Sequence, residues 1–438
     1  MQYPIISASG DGPSKQEQER TESNKSERIK ETPDAPSEAK NSSIYTQRMN
    51  EMRVTMSQVK PYLTVFQAIA ESKYYTVQDD IFENYCFFLL KNRFRGVSAR
   101  AYFVQKISEY IFWERGAAMQ TEQVKLMYQM GFMVEVAIVI QYLHNQILDG
   151  KSGVTHTEAI RKNLIASNIV RELLFEFIEL EMPERLRAKI RATFRKILLY
   201  TDIGQMMELN YGHYDSYTKK QKAPFEANSE IGQYTDKHLK CIEPIIREVC
   251  QQAKPKGKFV QHYFRRLFLT NVSLYVATTE LLCELWDCPA EIDTSLTNYA
   301  TTYGTAFQIV NDVADIVPKE RSKQTVGKTP EDAFSDLKNR NITLPLIYHL
   351  QKKYKRSIEN YLREPGRYPD LIENNQEFLR KDFLNSHAID NSICITRCLH
   401  EYSKGFLNKY NPITPFLINM SEIANWNTYY ISIYSETK

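Results

Sequence analysis

The sequence predicts an all-α fold, on three observations. From about Ile44 onward apolar residues recur at helical spacing over long windows. Glycine is sparse, 15 in 438 residues. Alternating runs of the β type are short and few. A 42% hydrophobic share over this length is enough to bury a substantial core.

Taken in order, residues 1–43 run through Ser, Lys, Glu, Gln, Pro and Asp with few large apolar side chains. Such a segment buries too little surface to offset the entropy of ordering, so it is expected to be a disordered tail before one helical domain over 44–438. Residues 1–10 lack a basic region followed by an apolar stretch, and the acids further on argue against a transit peptide, which makes a cytoplasmic chain the expectation. Asp79, Asp80 and Glu83 spell DDxxE. They read as a solvated first turn of an early helix, favoured by the helix dipole.

The window 126–148 is the most apolar. It carries Gln129, Glu135, Gln141, His144, Asn145 and Gln146, too many polar groups for a membrane span, and reads as a central core helix. Residues 185–196 (RLRAKIRATFRK) form a basic amphipathic helix, a solvated face over an apolar stripe. Between 210 and 258 a polar, Tyr- and Lys-rich texture predicts a surface insertion.

A formal charge of +3 from 56 basic and 53 acidic residues implies neither nucleic-acid nor membrane-surface binding, so charged partners must be met locally. Seven cysteines, odd in number and never paired as CxxC, fit reduced thiols rather than a disulfide framework or a zinc site. Cys394 and Cys398, four apart, share a helix face but lack histidine partners for a metal.

The most informative segment is 307–350, FQIVNDVADIVPKERSKQTVGKTPEDAFSDLKNRNITLPLIYHL. On a helix, residues three and four apart lie on one face, so Asn311, Asp312 and Asp315 are expected to present oxygens to one point. Mg²⁺ takes hard oxygen ligands and bridges to diphosphates, which suits such a face. The ordered set Phe307, Gln308, Asn311, Asp312, Asp315, Gly327, Lys328, Asp336, Leu337, Thr343, Leu344 and Pro345 resembles the second aspartate-rich region of the trans-isoprenyl diphosphate synthases. That resemblance implies an isoprenoid-synthase-type helical bundle with a central cavity. It also makes Lys328 and Gln308 contacts of a diphosphate.

Earlier segments continue the resemblance. Residues 269–286 match the helix that carries a Lys-Thr pair in the family, here Thr270 and Asn271; Arg266, one turn earlier, is the candidate replacement cation. Gly204, Gln205 and Glu208 resemble the GQxxD element. HNQILDG, residues 144–150, resembles the first aspartate-rich motif, with Asn145 and Gln146 in place of carboxylates and only Asp149 kept. An amide oxygen brings no charge to a magnesium cluster, so metal affinity on this side is expected to be much reduced. Glu135 does not compensate, since fourteen residues at ~1.5 Å each set it about 21 Å from Asp149. The arginine pair that follows the first motif in the family is absent, and the loop after it offers only Lys151. LLKNRFRG resembles the GKRLRP element, with Arg93 and Arg95 on the family's arginines and Asn92 on its lysine, so part of an isopentenyl diphosphate pocket is expected to survive.

The resemblance spans about residues 62–350. It implies Mg²⁺ held by Asp312, Asp315, Asn311 and Asp149, with the three carboxylates also catalytic. Lys328, Arg93, Arg95, Gln308 and Arg266 would contact an allylic prenyl diphosphate or isopentenyl diphosphate. The first reading is a diverged prenyltransferase or terpene-synthase-like enzyme; the second is a catalytically inactive subunit that supports an active synthase. A homodimer, or a heterodimer with such a synthase, is implied as well. Losses at Asn145, Gln146, Thr270, Asn271 and Asn341 (lysine in the family) weigh against ordinary chain elongation.

Overall fold

A computed structural model describes residues 38–74, 87–97, 99–148, 157–211, 229–253, 257–317, 334–351, 356–364, 367 and 371–408. Among them every regular element is helical and there are no strands. The chain divides into Met1–Ile44, of which only the start of one helix is described, and Tyr45–Lys438. That helix, α1 (Glu38–Val59), begins before the boundary read from composition at residue 43. Asp79, Asp80, Glu83, Asp149, Lys151, Gly327 and Lys328 lie outside the described residues.

The larger unit is built from α2 (Pro61–Tyr74), α3 (Phe87–Arg93), α4 (Ala99–Glu114), α5 (Thr121–Leu148), α6 (Thr157–Glu181) and α7 (Glu184–Tyr211). There follow α8 (Glu230–Leu239), α9 (Glu243–Gln252), α10 (Gly257–Leu267), α11 (Ser273–Leu285) and α12 (Ala290–Ile316). The shorter α13 (Ser335–Lys338), α14 (Leu344–His349), α15 (Arg356–Arg363) and α16 (Gln376–Asn385) lead to α17 (Ala388–Asn408). α12 packs most extensively along α17 and also against α11, while α5 lies between α4 and α6.

Sequence pattern accounts for these elements. In α1, Met49, Met52, Met56 and Val59 recur at helical spacing and are all buried. α5 is long and apolar enough to cross a membrane, yet 78% of that window is buried inside the fold, as befits a helix covered on nearly all sides. In α7, Ile190, Phe194 and Ile197 are buried while Arg185, Lys189 and Arg195 stay outside, the solvated face the spacing predicts. Ser229 caps α8 by accepting from the Gly232 N–H at 3.1 Å.

Part of the stretch expected as a surface insertion is integral to the bundle. Its segment 229–253 forms α8 and α9, and Leu239, Ile242 and Val249 are buried among other helices. The polar composition misleads because these helices are amphipathic: their few apolar positions fall on one face.

Candidate functional site

The five residues Phe268–Val272 between α10 and α11 form one π-helical turn. Such turns are rare and frequent at functional sites. This one holds Thr270 and Asn271, the positions of the expected Lys-Thr pair. α7 crosses it at Gly204, where an added Cβ would lie 2.6 Å from Thr270 Cγ2 and 2.8 Å from the Thr270 nitrogen. Only a residue without a side chain lets the two backbones meet so closely. The glycine of the GQ element is thereby explained as a packing requirement.

Around this crossing, neutral side-chain amides bond to one another and to the backbone, among them Asn145 and Gln146, which stand where the carboxylates of the first motif were expected. Gln205 Nε2 donates to Asn145 Oδ1 at 2.6 Å and lies 3.5 Å from the Gln141 carbonyl. Gln141 Nε2 donates to the Thr270 carbonyl at 2.6 Å, so this polar residue on the core helix is satisfied inside the fold. Asn163 Nδ2 reaches Gln146 Oε1 at 3.5 Å. Asn271 Nδ2 donates to Gln308 Oε1, and Gln308 Nε2 donates to Asp312 Oδ1 at 2.9 Å. These bonds link α5, α6, α7, the π turn and α12. His144 shares the same end of α5, with Nε2 2.9 Å from Ser167 Oγ and Nδ1 3.3 Å from Asp202, which Arg171 also meets at 2.8 Å.

The two acids of the second motif serve different partners. Asp312 is 4% exposed, and Tyr263 Oη donates to its Oδ2 at 2.7 Å. Burial pushes its carboxyl up to about 7, with the nearby Asp336 adding to the rise and Arg266, Tyr263 and Gln308 opposing it. Asp315 is 2% exposed and caps α13. Its Oδ1 accepts from the Ser335 N–H at 3.1 Å and the Ser335 hydroxyl at 2.7 Å, and its Oδ2 from the Asp336 N–H at 3.0 Å. The Asp315 carbonyl accepts from the Phe334 N–H at 2.8 Å. Phe334 sits in the left-handed region at φ 58, a strain of about 1–3 kcal/mol for a non-glycine residue, and these bonds hold it there. Asn311 is half-buried beside them.

The candidate cations are also engaged. Arg266, 5% exposed, pairs with Glu208 at 2.6 Å and donates to the Ile342 carbonyl at 3.2 Å. It thus joins the replaced aspartate of the GQxxD element to the start of the TLP helix. Arg93 pairs at 2.7 Å with Glu135, which is fully buried and also accepts from the Ala101 N–H at 3.1 Å. Arg95 is exposed, 3.4 Å from Asn92 Oδ1. Arg100, which sequence reasoning missed, lies over the Phe307 ring at 5.8 Å. Tyr263 was missed as well, although its place three residues before Arg266 on α10 was a signal.

A magnesium cluster asks for several anionic oxygens converging on one point. Among the described residues no group of three or more His, Cys, Asp or Glu side chains converges in this way. Asp312 and Asp315 instead accept hydrogen bonds from protein donors, and Asn145 and Gln146 offer neutral amides. The described donor set does not fit such a cluster.

The sequence pattern of the polyprenyl synthetase family matches residues 155–375, and the chain belongs to that family. A prenyl transferase of Cyanidium caldarium is 33% identical over 93 residues, 21% of this chain and 27% of that protein. One of Cyanophora paradoxa is 25% identical over 142 residues, 32% of this chain and 42% of that protein. The chain therefore aligns with less than half the length of either relative. The crystal structure of a polyprenyl synthase from Caulobacter crescentus, complexed with calcium and isoprenyl diphosphate, superposes with a TM-score of 0.56. It covers 88% of this chain and 97% of that one at 15% identity, a likeness of fold.

Proposed function

We propose that this chain acts in isoprenoid biosynthesis as a catalytically inactive, synthase-like subunit that supports or regulates an active prenyl diphosphate synthase. The observation that carries the reading is the Gln205–Asn145 bond at 2.6 Å, with the amide bonds around it. Catalysis of diphosphate departure is chiefly electrostatic, and cations must face the charge as it develops. Here Asn145 and Gln146, two of the first-motif positions, are uncharged and already bonded to their neighbours. Arg93 and Arg266 are each neutralised by a partner carboxylate.

An exposed apolar pair for the partner stands on α6, where the adjacent Leu164 and Ile165 are each 46% exposed. Large apolar side chains so placed favour association. The test is co-expression with a prenyl diphosphate synthase from the same source. Co-purification at one-to-one stoichiometry, lost in Leu164→Glu/Ile165→Glu, is the expected outcome; failure to associate contradicts the reading.

The diverged-enzyme reading keeps one observation in its favour. Asp312 and Asp315 stand one turn apart on α12 with Arg266 near Asp312. On that reading Asp312, Asp315, Asn311 and Asp149 hold Mg²⁺, and Lys328, Gln308, Arg93, Arg95 and Arg266 contact a prenyl diphosphate. Turnover of an allylic diphosphate with isopentenyl diphosphate by the isolated chain would establish it.

A further inference from the structure

We propose that Cys394 and Cys398 form a dithiol modification site on the outer face of α17, oxidised by hydroperoxides to an intrahelical disulfide. Both thiols are free and exposed. They stand four residues apart on one helix, where Cβ atoms lie about 5–6 Å from each other. The inward side of the same turn, Ile395, Thr396, Leu399 and His400, is buried, so the two sulfurs share the outer face. That turn belongs to the helix packed most extensively along α12, which carries Asp312 and Asp315.

The surroundings favour a reactive Cys394. A hydrogen bond from the Cys398 thiol is the largest influence and brings Cys394 down to about 6, with Arg397 assisting and burial and Glu248 opposing. Cys398 is pushed up in turn. From α9, Glu248 faces the pair, and from α14, Tyr348, whose phenol is raised by burial and then by Cys394, Glu248, Cys398 and Cys250. Tyr348 donates to Gln252 Oε1 at 3.0 Å. Elsewhere burial pushes the Cys241 thiol up to about 12 and raises Cys250, and Cys283 is raised by its contact with Cys288 and by burial. A thiolate that is both exposed and stabilised is the reactive form of cysteine.

The chemistry balances within the pair. The Cys394 thiolate attacks one peroxide oxygen; the S–O bond forms, the O–O bond breaks, and hydroxide leaves, or an alkoxide from an alkyl hydroperoxide. Cys398 sulfur then attacks the Cys394 sulfenic sulfur, and the hydroxyl departs as water with the Cys398 proton. Two thiols lose two electrons and two protons, and hydrogen peroxide is reduced to two waters. The new bond draws the Cβ atoms to about 3.8 Å and tightens that turn of α17.

The test uses the full chain, reduced, with iodoacetamide labelling of each cysteine followed by peptide mass spectrometry across pH. Half-maximal labelling of Cys394 near pH 6, moving up by a unit or more in Cys398→Ala, is expected. Stoichiometric hydrogen peroxide should then join the peptides on either side of Arg397, 2 Da lighter than the two thiols. In Cys398→Ala, dimedone should trap a sulfenic acid on Cys394. Both positions are exposed, so the variants keep the wild-type melting temperature. Half-maximal labelling at or above pH 8, no response to Cys398→Ala, or peroxide leaving both thiols free would overturn the proposal.

Discussion

Asp315 and Ser335, twenty residues apart in sequence, are joined by two hydrogen bonds, from the Ser335 N–H at 3.1 Å and from its hydroxyl at 2.7 Å. The last acid of the second motif is thereby a cap for the helix that follows it, and it holds the left-handed Phe334 turn in place. Asp315→Ala should lower stability by about 2–3 kcal/mol, because a buried carboxylate is lost and three donors, the Ser335 N–H and hydroxyl and the Asp336 N–H, lose this acceptor. The loss measured by thermal unfolding should be the same in Mg²⁺ and in EDTA. A loss seen only with Mg²⁺ present would mean that the carboxylate serves a metal.

Asp312 gives a prediction in pH. Its folded pKa of about 7 lies above the ordinary carboxylate value, so the folded state holds a proton that the unfolded chain has released. The contribution is therefore favourable below about pH 4 and is lost as pH rises through about 7. Asp312→Asn, which keeps the shape and removes the charge, should be more stable than wild type at pH 8, by an amount on the order of 1–3 kcal/mol, and close to wild type near pH 4. Unfolding midpoints across that range check this; an Asn variant equally or more destabilised at pH 8 would refute the buried-carboxyl account.

Gly204 fixes the approach of α7 to the π turn. An added Cβ at 2.6 Å from Thr270 Cγ2 meets backbone as well as side chain, so it cannot be relieved by one rotamer. Gly204→Ala should cost about 1–3 kcal/mol in denaturant unfolding despite the better helix propensity of alanine. A neutral or stabilising result would show that the crossing is looser than described.

Much of this arrangement was legible in the sequence. Helical spacing gave the all-α class, and the ordered residues from Phe307 to Pro345 gave the family, because both rest on local pattern. The partners were not legible. Arg266 pairs with Glu208 across 58 residues and Arg93 with Glu135 across 42, and nothing in either local string announces the other. Distance along the helix excludes Glu135 as a ligand beside Asp149 but says nothing of the arginine it meets, a position set by the packing of α3 against α5. Asp312 and Asp315 were expected to aim at one point from their spacing. Their side chains instead follow the donors that reach them, Tyr263 from α10 and Ser335 from α13, which only the tertiary fold brings near.

Restoring charge tests how far the amides define the site. Asn145→Asp/Gln146→Asp places two carboxylates on the last turn of α5, four and three residues before Asp149 in the sequence, and Gln205 Nε2 can donate to the new acid as it does to Asn145. Calorimetry should show Mg²⁺ affinity gained by tenfold or more over wild type. No gain would mean that the neutral side chains are not what limits metal binding there.

The most direct measurement is calorimetric titration of the wild-type chain with a farnesyl or geranylgeranyl diphosphate thio-analogue, with and without Mg²⁺, beside Asp312→Ala/Asp315→Ala. A synthase-like subunit with an amide-bonded site should show no Mg²⁺-dependent binding, and the double variant should differ from wild type only in stability. Mg²⁺-dependent binding by the wild type that disappears in the double variant would contradict it and establish a working second aspartate motif.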